Sequence, residues 1–237
     1  MTATKPAIKR FQEIYKHTTF SHYEKLGGWD GRPNGEDISF LSRYVGPEDI
    51  VLEVGCGSGK YTIELGQLCK RLIAIEPIER YANVTREKLA ASGINATVAV
   101  TDVNALVNMP EQYDRILFGM VLSQLPNPRY ALEISSKKLK TNGSIIVSEC
   151  EVWPEPDGSY YPQHHDRVNT ACHEAGCEFK DVERELGIPF TIDFDNWLKN
   201  LATDTSLHVK GLEYFGRKPD SRCFVAELTR DLNGSCE

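Results

Sequence analysis

The chain has 237 residues, of which 41% are hydrophobic and 26% charged, and its net charge is −7. That length suits one large α/β domain with an ample buried core, and the composition excludes bulk disorder. An acidic balance without a Lys/Arg-rich stripe argues against nonspecific binding to nucleic acid or anionic membranes.

The opening MTATKPAIKRF lacks the continuous apolar stretch of a signal peptide, and no run of about 18 apolar residues occurs, so a cytoplasmic setting is expected. The seven cysteines include no CxxC pair and are expected to be reduced there. Pro6 to His17 can form a helix, Ser21 to Gly35 reads as a loop rich in Gly, Trp and Tyr, and Asp37 can cap a short helix reaching Tyr44. From residue 50 onward, strand and helix patterns alternate. Apolar runs at Val51–Val54, Leu72–Ile75, Ala96–Thr101, Arg115–Phe118 and Ser144–Ser148 read as five strands. Tyr61, Leu65, Leu68 and Cys69 share one helical face, as do Ile78, Ala82, Thr85 and Leu89, with Gly93 as the stop. A third helix is expected over about Arg129 to Leu139, followed by a turn at Asn142-Gly143. The stretch CEVWPEPDGSYYPQ from Cys150 is too rich in Pro, Gly and aromatics for regular structure and reads as part of a lid. His164 to Gly176 looks helical, Phe179 to Leu186 like a sixth strand and Cys223 to Thr229 like a seventh. Phe190 to Lys218, with a short helix near Phe194 to Leu201, reads as a second wall of the pocket. Such alternation demands a parallel, doubly wound sheet with helices on both faces, and it puts ligands at the carboxyl ends of the strands.

The segment VLEVGCGSG, Val51 to Gly59, carries the most chemistry. Gly55, Gly57 and Gly59 after a buried strand predict a turn with positive φ that opens a helix, where a ligand can approach the main chain. Free N–H groups at that helix start would favour a negatively charged group. Glu76, about 20 residues beyond the glycines and at the end of the next strand, stands where an acid typically binds ribose hydroxyls. Glu53, Glu76, Asp102 and Gly119 all fall at strand ends.

These motifs resemble, in order over roughly residues 45 to 150, those of the class I S-adenosylmethionine-dependent methyltransferases of small-molecule type. The resemblance implies a seven-stranded, mostly parallel sheet whose last strand inserts antiparallel between the fifth and sixth. It also implies S-adenosyl-L-methionine as cofactor, with methyl transfer to oxygen or nitrogen of a small molecule. By the same resemblance Gly55, Cys56, Gly57 and Gly59 pass the methionine and ribose portions, and Glu76, followed by Pro77, accepts from the ribose hydroxyls. Asp102 and Val103 would serve the adenine, Glu53 would face the donor's amino group directly or through water, and Gly119 and Met120 would line the methionine end. Glu76→Ala is then expected to weaken donor binding with little loss of folding. The single domain divides into an N-terminal cap (1–45), a cofactor-binding core (46–150), and a lid with C-terminal strands (151–237). Tyr15, Tyr23 and Trp29 are candidate pocket residues in the cap. His164 and His165 follow the lid and are candidates for proton removal.

Each acid also has a plain structural alternative, Glu76 as a cap for the helix near Ile78 and Asp102 as a turn residue. No metal is expected: His165, Cys172, His173 and Cys177 match no standard zinc spacing. The competing enzyme class is a nicotinamide-dependent reductase. Its fingerprint needs a glycine where Lys60 stands, and its Tyr-x-x-x-Lys spacing occurs only at Tyr214 to Lys218, a stretch containing Gly216 and ending before Pro219. A catalytically silent methyltransferase-like binding protein is the third reading.

Overall fold

The computed structural model describes residues 36–125, 127–152, 194–218 and 221–230. The expected helix at Pro6–His17, the loop after it, the helix from His164, the strand at Phe179–Leu186 and most of the lid segment lie outside those residues.

Among the described residues seven strands form one sheet: β1 (Ile50–Val54), β2 (Arg71–Ile75), β3 (Ala96–Ala99), β4 (Tyr113–Gly119), β5 (Leu139–Val152), β6 (Leu207–Lys218) and β7 (Ser221–Arg230). Their order is β3-β2-β1-β4-β5-β7-β6. The first five run parallel, while β7 pairs antiparallel with both β5 and β6. This is the expected doubly wound sheet with its last strand inserted antiparallel. Five α-helices accompany it among the described residues: α1 (Glu36–Leu41), α2 (Lys60–Gly66), α3 (Glu79–Ser92), α4 (Pro128–Ser136) and α5 (Phe194–Thr203).

Period-two alternation in the central strands divides the core into two layers. Leu52, Ile116, Phe118, Ile145 and Val147 point to the layer with Leu132 of α4 and Leu198 of α5. Val51, Leu72, Leu117 and Ile146 point to the layer with Leu41 of α1 and Tyr61 and Leu65 of α2. Burying such side chains fully contributes roughly 1.5–3 kcal/mol each.

Several boundaries differ from the sequence reading, each for a local reason. The sixth strand of the sheet is Leu207–Lys218, in the segment read as a pocket wall. Its alternation is broken by a register shift between Val209 and Gly211, which inserts Lys210 as an extra residue and hides the period of two. The second helix stops at Gly66, so Leu68 is exposed rather than packed on the helical face. There is room for nothing larger than glycine at that stop, since a Cβ on Gly66 would lie 2.6 Å from Ile94 Cγ2. Strand β5 begins at Leu139 and runs unbroken to Val152, so Asn142-Gly143 forms an irregularity opposite Asp114 instead of a turn, and the first lid residues continue the strand. Between β3 and β4 the crossover is a 3-10 helix, Val103–Asn108. Cys223 is disulfide-bonded, against the expectation of seven reduced thiols, while Cys56 and Cys69 are free.

Candidate active site

The chain moves from β1 outward to β2 and β3, then returns to the other side of β1 with β4 and β5. The crevice beyond the carboxyl ends of β1 and β4 is therefore the topological switch point, where α/β sheets bind ligands. Two connections meet there: the glycine turn after β1 and the loop after β4.

The glycine turn has left-handed backbone at all three expected positions, with φ of 73° at Gly55, 52° at Gly57 and 85° at Gly59. Packing gives two of them a second reason to lack a side chain. A Cβ on Gly55 would lie 2.6 Å from Val121 Cγ2, and one on Gly59 would lie 2.9 Å from Thr85 Cγ2. Four of the turn's amides donate within the protein. Those of Gly55 and Cys56 donate to the Ile75 carbonyl, that of Gly59 to the Cys56 carbonyl, and that of Gly57 to Glu76 Oε2 at 3.0 Å. From α3, Thr85 Oγ1 donates to the Gly57 carbonyl and Lys88 Nζ to the Ser58 carbonyl, both at 2.8 Å. Cys56 is buried inside the turn, and that burial pushes its thiol pKa well above the usual range.

Glu53 and Glu76 flank this turn, both almost fully buried. Glu53 Oε2 accepts from Thr62 Oγ1 of α2 at 2.6 Å, whereas Oε1 is buried without a hydrogen-bond partner. Burial, opposed by the Thr62 hydrogen bond and reinforced by the nearby Glu76 charge, pushes the Glu53 pKa up to about 7. Glu76 accepts from the amides of both Gly57 and Ile78, the latter at 2.9 Å. It therefore does act on the start of α3, as its structural alternative held, and it also ties that start to the glycine turn. Burial raises its pKa and those two amides hold it down. Each oxygen retains a further lone pair.

Asp102 is exposed beyond β3, where its carboxylate accepts from the Asn104 amide and caps the 3-10 helix, while Val103 is buried beneath it. Pro77 is exposed beside buried Glu76. Gly119 ends β4, and a Cβ there would lie 2.5 Å from Cε2 of Tyr61. Met120 follows at a φ of 58°, a conformation uncommon for a residue with a side chain. The sheet order thus sets Asp102, Glu76, Glu53 and Gly119 at or just beyond the carboxyl ends of β3, β2, β1 and β4, which lie side by side in that order. Tyr15, Tyr23, Trp29, His164 and His165 lie outside the described residues.

Sequence reasoning missed the supports of this site. Thr62, Thr85 and Lys88 carried no motif signal, because their roles depend on how α2 and α3 lie over the turn. Glu149 did carry one, being an acid within the apolar run of β5, and it is buried with Oε1 accepting from the Ser123 amide at 2.9 Å. Among the described residues no cluster of His, Cys, Asp and Glu can hold a metal ion, and no helix is long and apolar enough to cross a membrane.

Residues 51–143 match the methyltransferase domain family. Protein-L-isoaspartate O-methyltransferase of Helicobacter pylori (strain P12) is 37% identical over 79 residues, which are 33% of this chain and 38% of that protein. The chain thus spans well under half the length of such curated relatives. Among solved structures, the magnesium protoporphyrin IX methyltransferase of Synechocystis PCC 6803 with bound S-adenosylmethionine superposes at a TM-score of 0.62 with 13% identity, over 98% of this chain and all of that one. The N-methyltransferase NodS from Bradyrhizobium japonicum WM9, in complex with S-adenosylhomocysteine, gives 0.59 with 18% identity over 94% and 98%. These structural likenesses carry the fold.

Residues 51–143 thus match the methyltransferase domain family, and the chain shares the fold of these solved methyltransferases.

Proposed function

We propose that the chain is an S-adenosylmethionine-dependent methyltransferase acting on oxygen or nitrogen of a small molecule, built as a single domain over residues 1–237. The observation that carries the reading is the buried carboxylate Glu53, one oxygen of which has no partner, next to a glycine turn at the switch point. A buried carboxylate oxygen without a partner is costly and calls for a donor or cation, which an ammonium group supplies. The residues present fit the cofactor in a second way. Its adenosyl and methionyl parts carry no phosphate, and the turn's amides at Gly55, Cys56, Gly57 and Gly59 already donate within the protein. Lys60, in place of the third glycine of the dinucleotide fingerprint, disfavours the nicotinamide reductase.

In this reading Glu53 holds the donor's amino group and Glu76 adds ribose hydroxyls to the two amides it already accepts. Asp102 uses its remaining lone pairs for the adenine amine with Val103 beneath the ring, and Gly55, Cys56, Gly57, Gly59, Pro77, Gly119 and Met120 form the walls. The cofactor brings its own leaving group and positive charge, so the protein's task is alignment of acceptor, methyl carbon and sulfur. Tyr15, Tyr23 and Trp29 are proposed for the acceptor and His164 or His165 for proton removal; the proposed location is the cytoplasm.

The isoaspartate enzymes act on protein, but the likeness to them covers only 33% of this chain. Calorimetry with S-adenosylhomocysteine, S-adenosylmethionine and NADH tests the donor, and methyl transfer into a metabolite mixture against a protein mixture tests the acceptor. Heat with the first two compounds and label in metabolites is expected. No heat with either sulfur compound would end the reading, and label confined to protein would overturn its acceptor part.

A further inference from the structure

We propose that Glu149 is a positioning residue for the donor site: it sets the loop after β4 against the glycine turn by holding the Ser123 amide. The role rests on the donor reading above. Glu149 is buried near the carboxyl end of β5, and its Oε1 accepts from Ser123 N–H at 2.9 Å. One residue earlier on the same strand, the Ser148 carbonyl accepts from Met120 N–H at 2.7 Å. Two consecutive residues of β5 thus grip the loop at two points, once through backbone and once through a side chain. Between those points lies Val121, whose Cγ2 stands where a Cβ on Gly55 would be 2.6 Å away.

The loop itself is not relaxed. Met120 has φ of 58°, and the Gln124 side chain donates back to the Met120 carbonyl at 2.7 Å. A side-chain-bearing residue holds that conformation only where its surroundings over-determine it. The Ser123 amide belongs to the 3-10 turn Leu122–Gln124, and a carboxylate is a stronger acceptor for it than a neutral group. Val147, two residues earlier on β5, is apolar and fully buried, so Glu149 is an acid on a strand face that otherwise belongs to the core. An acid at position 149 makes sense if the position of the loop, and so of Val121 over Gly55, must be fixed.

The test is S-adenosylhomocysteine affinity by calorimetry, together with thermal melting, for the full-length chain and three variants. Glu149→Met fills the space without an acceptor and is expected to weaken binding about tenfold, with a modest fall in melting temperature from the stranded Ser123 amide. Glu149→Gln keeps an oxygen acceptor and is expected to bind within about threefold of the unaltered chain. Val121→Ala, which removes the contact over Gly55 and leaves Glu149 in place, is expected to weaken binding in the same direction, and it carries the test if the methionine variant does not fold. Unchanged affinity in Glu149→Met or in Val121→Ala, or a glutamine variant as weak as the methionine one, would overturn the role. An unaltered chain that binds no S-adenosylhomocysteine would instead remove the donor reading and this role with it.

Discussion

The proton on Glu53 links stability to pH. Its folded pKa of about 7 lies above its ordinary 4.5, so the folded chain retains a proton that the unfolded chain releases. The stability from this group is fully present below about pH 4.5 and is lost as pH climbs through 7, a difference of about 3 kcal/mol. Glu76 is shifted in the same direction and adds to the same trend. We predict that the melting temperature of the ligand-free chain falls between pH 5 and pH 8, and that Glu53→Gln flattens much of the fall; equal slopes for the two proteins would refute it. An ammonium beside Glu53 favours its charged form, so S-adenosylhomocysteine should bind more weakly at pH 6 than at pH 8, with Glu53→Gln abolishing the difference in calorimetry. Glu76→Ala has a larger structural effect than the sequence suggested. Besides losing one or two charge-assisted hydrogen bonds to the donor at ~1.5–3 kcal/mol each, it strands the buried amides that Glu76 holds. Chemical denaturation should therefore show a loss of about 2 kcal/mol or more alongside the weaker affinity.

At the scale of elements, α2 packs closely on the end of β4. Tyr61 lies over Gly119, and a methyl group there would sit 2.5 Å from its ring. Gly119→Ala should cost roughly 1–3 kcal/mol by overpacking, and adding Tyr61→Leu should return part of it. A double-mutant cycle in urea with no coupling between the two sites would contradict this packing. The first four strands and the ends of α3 were legible because local rules are strong there: apolar runs bounded by turn residues, and Gly93 in left-handed conformation (φ 69°) closing α3. Strand β6 was not legible, because the bulge at Lys210 breaks its alternation. Its place in the sheet comes from pairing with β7, a contact made far along the chain.

Across the whole molecule, strands β1 and β4 sit at the centre with both faces covered, whereas β3 is an edge strand of only intermediate burial. Local opening should follow that gradient. Hydrogen exchange followed by mass spectrometry is expected to show the slowest amides in β1 and β4 and earlier exchange in β3; the reverse order would contradict the layering described here.

By itself the sequence determined the sheet's class, the glycine turn and the acids at strand ends, because each rests on a short-range pattern that survives any packing. Even the left-handed conformations at Gly55, Gly57 and Gly59 were readable, since only residue type was needed. Tertiary structure alone decided what those residues touch: Thr62 on Glu53, Thr85 and Lys88 on the turn's carbonyls, and Glu149 on the loop after β4. Those bonds join residues up to 30 positions apart. Partners so far separated meet only when helices and strands have docked, and no local pattern encodes where a docked helix will set a hydroxyl or an ammonium.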